Sequence, residues 1–380
     1  MANRKPAEVF PPGEFIRDEL AERGWTQSDL AKITGRPLPA INGIINGTRS
    51  VTPETAIELA SALGTSPEFW LNLETAYQLS KANVAEENAI RQRAKLFESA
   101  PVKDMEKRGW IKPTTTIPAL DASLNQFFSI PEASRLRVAA RTSIQSSELN
   151  PEQVAWCVRA LQLAKALPAH RFSNKALDDG IPKLRALADF PENVRKVSKV
   201  LAEMGIRFVV VEHLPKSKID GAALWLGDAW DHPVIALSLR YDRIDSFWHT
   251  LFHELSHIKN RDSYILDIDI VGADRCLASD ELSEIETRAN RDAAEMLIPK
   301  EKLQSFIART RPFYYAAKII QFAHLLKIHP GIIAGQLQHR GEIDWAANRH
   351  MLVKVRDLLI TAAMTDGWGI TISKGKQSNA

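Results

Sequence analysis

The chain has 380 residues, with 49 Lys and Arg against 46 Asp and Glu and a formal net charge of +3. Its 45% apolar and 25% charged residues are an ordinary globular mixture, which excludes a wholly disordered or fibrous chain and suggests roughly two or three folding units. Two distant cysteines, Cys157 and Cys276, exclude a disulfide scaffold and a cysteine zinc knuckle, and both are expected to be buried structural residues.

At the start, Arg4 and Lys5 precede Pro11-Pro12 without the apolar stretch of a signal peptide. No uncharged apolar run is long enough to span a bilayer, so the sequence reads as a soluble cytoplasmic protein with no membrane partner. Residues 1–80 carry 7 basic and 10 acidic side chains, while 81–200 carry 20 and 13. Net charge therefore lends no weight to nucleic-acid binding by the first segment, and such a reading rests on motif and local placement.

From Glu14 to about Leu79, apolar residues recur at helical spacing in short runs: Phe15, Ile16 and Leu20, then Leu30, Ala31 and Ile33, then Ile41, Ile44 and Ile45. Asn46-Gly47 is a turn pair, and Thr52-Pro53 can cap and begin a further helix. A short helix, a turn at Gly35, a second short helix and an Asn-Gly exit form the order a helix-turn-helix requires. Thr26 then caps the supporting helix and Gln27 lies at its exposed end near phosphates. The recognition helix begins around Pro37 to Pro39, which puts Arg36, Leu38, Asn42 and Arg49 where a duplex could be touched; Asn42 is of the type that bonds adenine edges. A small helical bundle used for protein contacts is the alternative.

The stretches from Pro12-Gly13-Glu14 through Ile41-Asn42-Gly43-Ile44-Ile45-Asn46-Gly47 to Gly64-Thr65-Ser66-Pro67-Glu68-Phe69-Trp70-Leu71-Asn72-Leu73 resemble HigA-type antitoxins of the Xre helix-turn-helix family. The resemblance implies a homodimer that reads a palindromic DNA operator and, among antitoxins, a toxin partner. Pro37 and Pro39 stand where many relatives carry Ser or Thr, which removes polar contacts.

Residues 81–204 read as a helical linker and middle region. Its apolar positions, including Val154, Val158, Leu161 and Leu163 near Trp156, are expected to be core. Arg135, Arg137 and Arg141 could extend contact to phosphates, although exposed basic residues on helices are usually solvated.

Ile206 to Val211, Ala222 to Leu226 after a turn at Gly221, and Pro233 to Leu239 read as short strands of a small sheet. The helical stretch that follows holds His253-Glu254-Leu255-Ser256-His257. One turn apart, the two histidines can reach a single tetrahedral zinc, with Glu254 beside the open coordination position to move protons. Zinc brings the pKa of a bound water towards about 7. His249 is a spare candidate. A third ligand is needed, and the segment from Glu286 to Pro299 offers one on a second helix, with Glu281, Glu284 and Asp292 in competition. Nothing in the sequence selects among His232, Tyr264, His324 and His329 for oxyanion stabilisation.

Phe247 to His257 with Glu286-Thr287-Arg288-Ala289-Asn290 resembles the ImmA/IrrE metallopeptidase family, as does Ile328 to Gln338. The resemblance implies Glu286 as third ligand and cleavage of a repressor-type protein; Asn290, one turn on, would then orient a ligand histidine. The expected fold class is mainly α: an amino-terminal all-α helix-turn-helix (1–80), the helical middle (81–204), an α+β zinc-peptidase-like domain (205–345) and a carboxy-terminal helical extension with a polar tail (346–380). The expected function is a DNA-binding transcriptional regulator with one zinc, or manganese, per chain and an endopeptidase acting on a regulatory protein. The rival is a non-enzymatic antitoxin-like repressor whose zinc domain is a sensor or a surface for a toxin-like partner.

Overall fold

Caps and breakers set the first elements in the computed structural model, which describes residues 9–81, 84–130, 149–227, 230–262, 265–268 and 280–368. α1 (Pro12–Arg23) begins on a proline. α2 (Gln27–Thr34) opens with a capping box between Thr26 and Asp29 and closes at Gly35 with φ 70°, the left-handed conformation in which glycine meets no Cβ clash. α3 (Leu38–Ile45) follows directly on that turn. Thr52 caps α4 (Pro53–Leu63), whose first residue is the expected proline, and α5 (Pro67–Lys81) follows. Their shared core holds Ile16, Leu20, Leu30, Ile41, Ile45, Leu59 and Trp70.

The chain divides into two units, Met1–Arg91 and Gln92–Ala380. α6 (Val84–Ser99) runs across the boundary. The second unit continues with α7 (Val102–Lys107), α8 (Ile117–Phe127), α9 (Pro151–Lys165), α10 (Asn174–Ala186) and α11 (Val197–Glu203) before its sheet. Helices of the expected middle region thus belong to the same unit as the sheet.

Among the described residues, five strands make a mixed sheet in the order β4-β2-β3-β1-β5: β1 (Arg207–Val211), β2 (Ile219–Trp225), β3 (Pro233–Leu237), β4 (Ile265–Ile268) and β5 (Met364–Asp366). β1 runs parallel to β3 and β5, and β2 antiparallel to β3 and β4. Successive residues face opposite sides. Val209 and Val211 pack with α7, α8 and α9 around Trp156, while Phe208 and Val210 pack with the later helices. Those helices are α12 (Ile244–Asn260), α13 (Asp280–Leu297), α14 (Lys300–Thr310), α15 (Ala316–Leu326) and α16 (Pro330–His339). Cover on both faces explains why the strands read as continuous apolar runs.

Three differences from the sequence expectation concern this sheet. Gly221 lies inside β2, beside a register irregularity between Ile219 and Gly221, rather than in a turn. β4 adds an edge strand. The carboxy-terminal extension carries β5 as well as a four-residue helix, α17 (Arg356–Leu359). Contacts remote in sequence fix β5: Trp110 Nε1 donates to Asp366 Oδ1 at 3.2 Å and Arg159 Nε to Asp366 Oδ2 at 2.5 Å. Arg135, Arg137, Arg141, Tyr264 and Cys276 lie outside the described residues, whereas Cys157 is fully buried in α9. No helix of the described residues is long and apolar enough to cross a membrane.

Candidate functional site

In the amino-terminal unit, α3 buries Ala40, Ile41, Ile44 and Ile45 and turns Leu38 outward, 40% exposed. Asn42 and Gly43, one turn on, are half-buried. Arg49 extends this surface. Its N–H donates to Gly43 O at 3.0 Å, and its stem lies so close that a Cβ on Gly43 would meet Arg49 Cγ and Cδ at 3.0 Å. Gln27 is the first residue of α2. Arg36, expected at the duplex, is instead drawn to α4, where Glu58 accepts from its Nε and, at 3.3 Å, from its Nη2. That bond raises the guanidinium pKa above its ordinary value.

In the second unit, α12 buries Phe247, Leu251, Phe252, Leu255 and Ile258. His249, His253 and His257 recur at four-residue intervals, so they share a face. His253 and His257 are fully buried, with their Nε2 atoms 3.0 Å apart. α13 brings Glu286 to the same point: Oε2 lies 3.1 Å from His253 Nε2 and Oε1 3.7 Å from His257 Nε2. Of the competing carboxylates, Glu284 is exposed, and Asp292 accepts from Ser256 Oγ at 3.1 Å. The side chain of Glu281 lies outside the described residues.

Glu254 is fully buried and packs on β2. A Cβ on Gly221 would fall 2.2 Å from Glu254 Oε1 and 2.8 Å from Thr250 Cγ2. The glycine therefore leaves the space the carboxylate fills. That role is not legible in the sequence, where Gly221 reads as a turn.

Asp262 is likewise silent in the sequence. The helix ends at Arg261 in a left-handed conformation, φ 56°, and the chain turns back so that Asp262 Oδ2 lies 3.0 Å from His257 Nδ1. Arg288 Nη2 donates to Asp262 Oδ1 at 2.6 Å. An imidazole that donates Nδ1–H to a carboxylate presents the Nε2 lone pair to the shared point. Asn290, expected to orient a ligand histidine, has Oδ1 3.2 Å from His249 Nε2 and donates through Nδ2 to Glu286 O at 2.9 Å. The contact to His257 comes from Asp262 instead. The oxyanion candidates lie elsewhere: His329 caps α16, His324 is exposed on α15 and His232 is 52% exposed beside Asp231. His249 and His339, with ring centroids 6.3 Å apart, are nearer, His249 lying 6.2 Å from His253.

Two short helices joined at Gly35, with a second helix exposing its amino end, define a helix-turn-helix unit. Residues 16–70 match the helix-turn-helix family model. An uncharacterised HTH-type transcriptional regulator of Haemophilus influenzae is 39% identical over 80 residues, 21% of this chain and 72% of that protein. Antitoxin HigA-1 of Vibrio cholerae is 40% identical over 77 residues, 20% of this chain and 70% of that protein. A solved structure described as Pseudomonas aeruginosa antitoxin HigA with higBA promoter is 33% identical, covering 22% of this chain and 91% of that chain, with a TM-score of 0.21. Through its amino-terminal unit, this chain belongs to the helix-turn-helix family of transcriptional regulators, and that unit is similar to HigA antitoxins.

Proposed function

We propose that the chain binds a DNA operator as a homodimer and carries a single-zinc endopeptidase centre, with His253, His257 and Glu286 as ligands and Glu254 as general base. The observation that carries the second half is the convergence of two buried imidazoles and a carboxylate beside the buried Glu254. Donor separations of 3.0, 3.1 and 3.7 Å suit a tetrahedral ion with bonds of about 2.0–2.2 Å, whose ligand atoms lie roughly 3.3 Å apart. Three protein ligands leave one position open, as catalytic rather than structural zinc requires. Manganese is a second candidate for the same donors.

When bound, zinc supplies a Lewis acid at the scissile carbonyl and lowers the pKa of water to about 7. Glu254 takes a proton from the attacking water and later gives one to the departing amine. Asp262 holds His257 in the tautomer and orientation that ligation needs. Gly221 keeps room for Glu254 at the sheet. The substrate class favoured by the resemblance to ImmA/IrrE peptidases is a regulatory protein cut at a specific bond.

The similarity of residues 16–70 to antitoxins supports a second reading: a repressor without turnover, whose metal centre senses a signal or meets a toxin-like protein. Glu254→Gln separates the two, because it keeps the shape of the side chain and removes the base. The zinc-loaded full chain, incubated with the protein products of the genes beside its own, should cut one of them. The Gln variant should keep zinc and operator binding and lose hydrolysis by roughly a hundred- to ten-thousand-fold. If no product is cut, and Glu254→Gln supports regulation as well as the native chain while His253→Ala does not, the centre is a sensor.

A further inference from the structure

The recognition helix of this chain carries no charged side chain. Its sequence is Leu-Pro-Ala-Ile-Asn-Gly-Ile-Ile. Once Ala40, Ile41, Ile44 and Ile45 are buried, the residues left exposed are Leu38 and Pro39, with Asn42 and Gly43 half-buried. Two nearby arginines are engaged within the unit. Arg36 is paired with Glu58. Arg17 Nη2 donates to Ile45 O at 3.1 Å and to Asn46 Oδ1 at 3.2 Å, closing the far end of α3. Arg49, which follows α3, lays its stem against Gly43.

The amino end of α3 also gives up stability. Thr26 and Thr52 cap α2 and α4 through their side chains, whereas Pro37 makes no such bond to α3. Polar residues at that position ordinarily stabilise a helix start. Pro37 thus sits where folding alone favours a polar side chain. Ala31, Pro37 and Leu38 line an open concavity that Lys32 also borders.

In the major groove, arginine and lysine read guanine, asparagine bonds adenine, and apolar side chains meet the thymine methyl. A helix that offers two apolar side chains and one amide has no guanine reader. We infer that this chain selects its operator through thymine methyl groups, touched by Leu38 and Pro39, with Asn42 on an adjacent adenine; Lys32 and Arg49 hold phosphates on either side. This deepens the operator-binding reading and rests on it.

The test starts from the full chain and duplexes with a random central stretch. The enriched sequence is then made with each thymine replaced in turn by deoxyuridine, which lacks only the methyl. At one or more thymines in each half-site, affinity should fall about fourfold, the worth of one buried methyl group. Leu38→Ala should bind the thymine and deoxyuridine duplexes equally. Leu38→Gln, selected afresh, should replace that thymine by adenine, the base a glutamine side chain reads. If every thymine tolerates deoxyuridine, or if the difference persists unchanged in both Leu38→Ala and Pro39→Ala, the methyl readout is overturned while operator binding stands. Failure to enrich any sequence overturns both.

Discussion

A metal-binding imidazole has two nitrogens, and what the second one touches decides how well the first one holds the ion. Asp262 Oδ2, 3.0 Å from His257 Nδ1, fixes which nitrogen of His257 faces Glu286. Asp262→Asn keeps the size and removes the carboxylate. Its zinc affinity, measured by competition with a coloured chelator, should fall about 10- to 100-fold, while Asn290→Ala should change it less. The reverse order would return the orienting role to Asn290. The pairing of His253 and His257 on one helix face was legible in the sequence because a four-residue interval on a helix is a geometric statement. Asp262 was not legible, since its approach depends on the left-handed Arg261 that folds the chain back. Arg36 shows the same limit: beside Gly35 it reads as a duplex contact, but Glu58, on another helix, accepts its hydrogen bonds.

At the scale of elements, the start of α16 is one whose stability answers to pH. The His329 side chain caps α16 by accepting the Gly331 N–H at 3.1 Å, which it can do only while that nitrogen is unprotonated. Burial lowers its pKa below the ordinary 6.5, against the opposing pull of Asp189 and Glu192. The unfolded chain binds the proton more readily. The stabilisation is therefore present above pH 6.5 and lost as the pH falls through the lower, folded value. In metal-free protein, urea unfolding of the second unit should show native stability dropping between pH 7 and pH 5. His329→Asn, which caps without titrating, should flatten that drop; an unchanged slope would remove His329 from the explanation. At this scale the central strands were legible from their apolar runs. β4 and β5, four and three residues long, carry too few positions to show a period, and β5 is held by Trp110 and Arg159 from far upstream.

Taken whole, the chain keeps its helix-turn-helix and its paired buried histidines in separate cores. The helix-turn-helix has its own cluster around Ile41 and Trp70, while the histidines of α12 belong to the unit Gln92–Ala380. Loss of the metal should consequently leave DNA binding intact. The sequence marks a change of motif, from helical punctuation in the first part to strands followed by a histidine-bearing helix in the last, but not that the helices between them share a unit with the sheet. The decisive measurement is the zinc content of the purified full chain, determined together with its retardation of operator DNA. About one zinc per chain is expected, as three protein ligands would hold. It should be lost in Glu286→Ala and retained in Glu284→Ala, with both variants retarding DNA as the native chain does. A native chain without zinc, or equal zinc in the two variants, would contradict the assignment of His253, His257 and Glu286 as a metal centre.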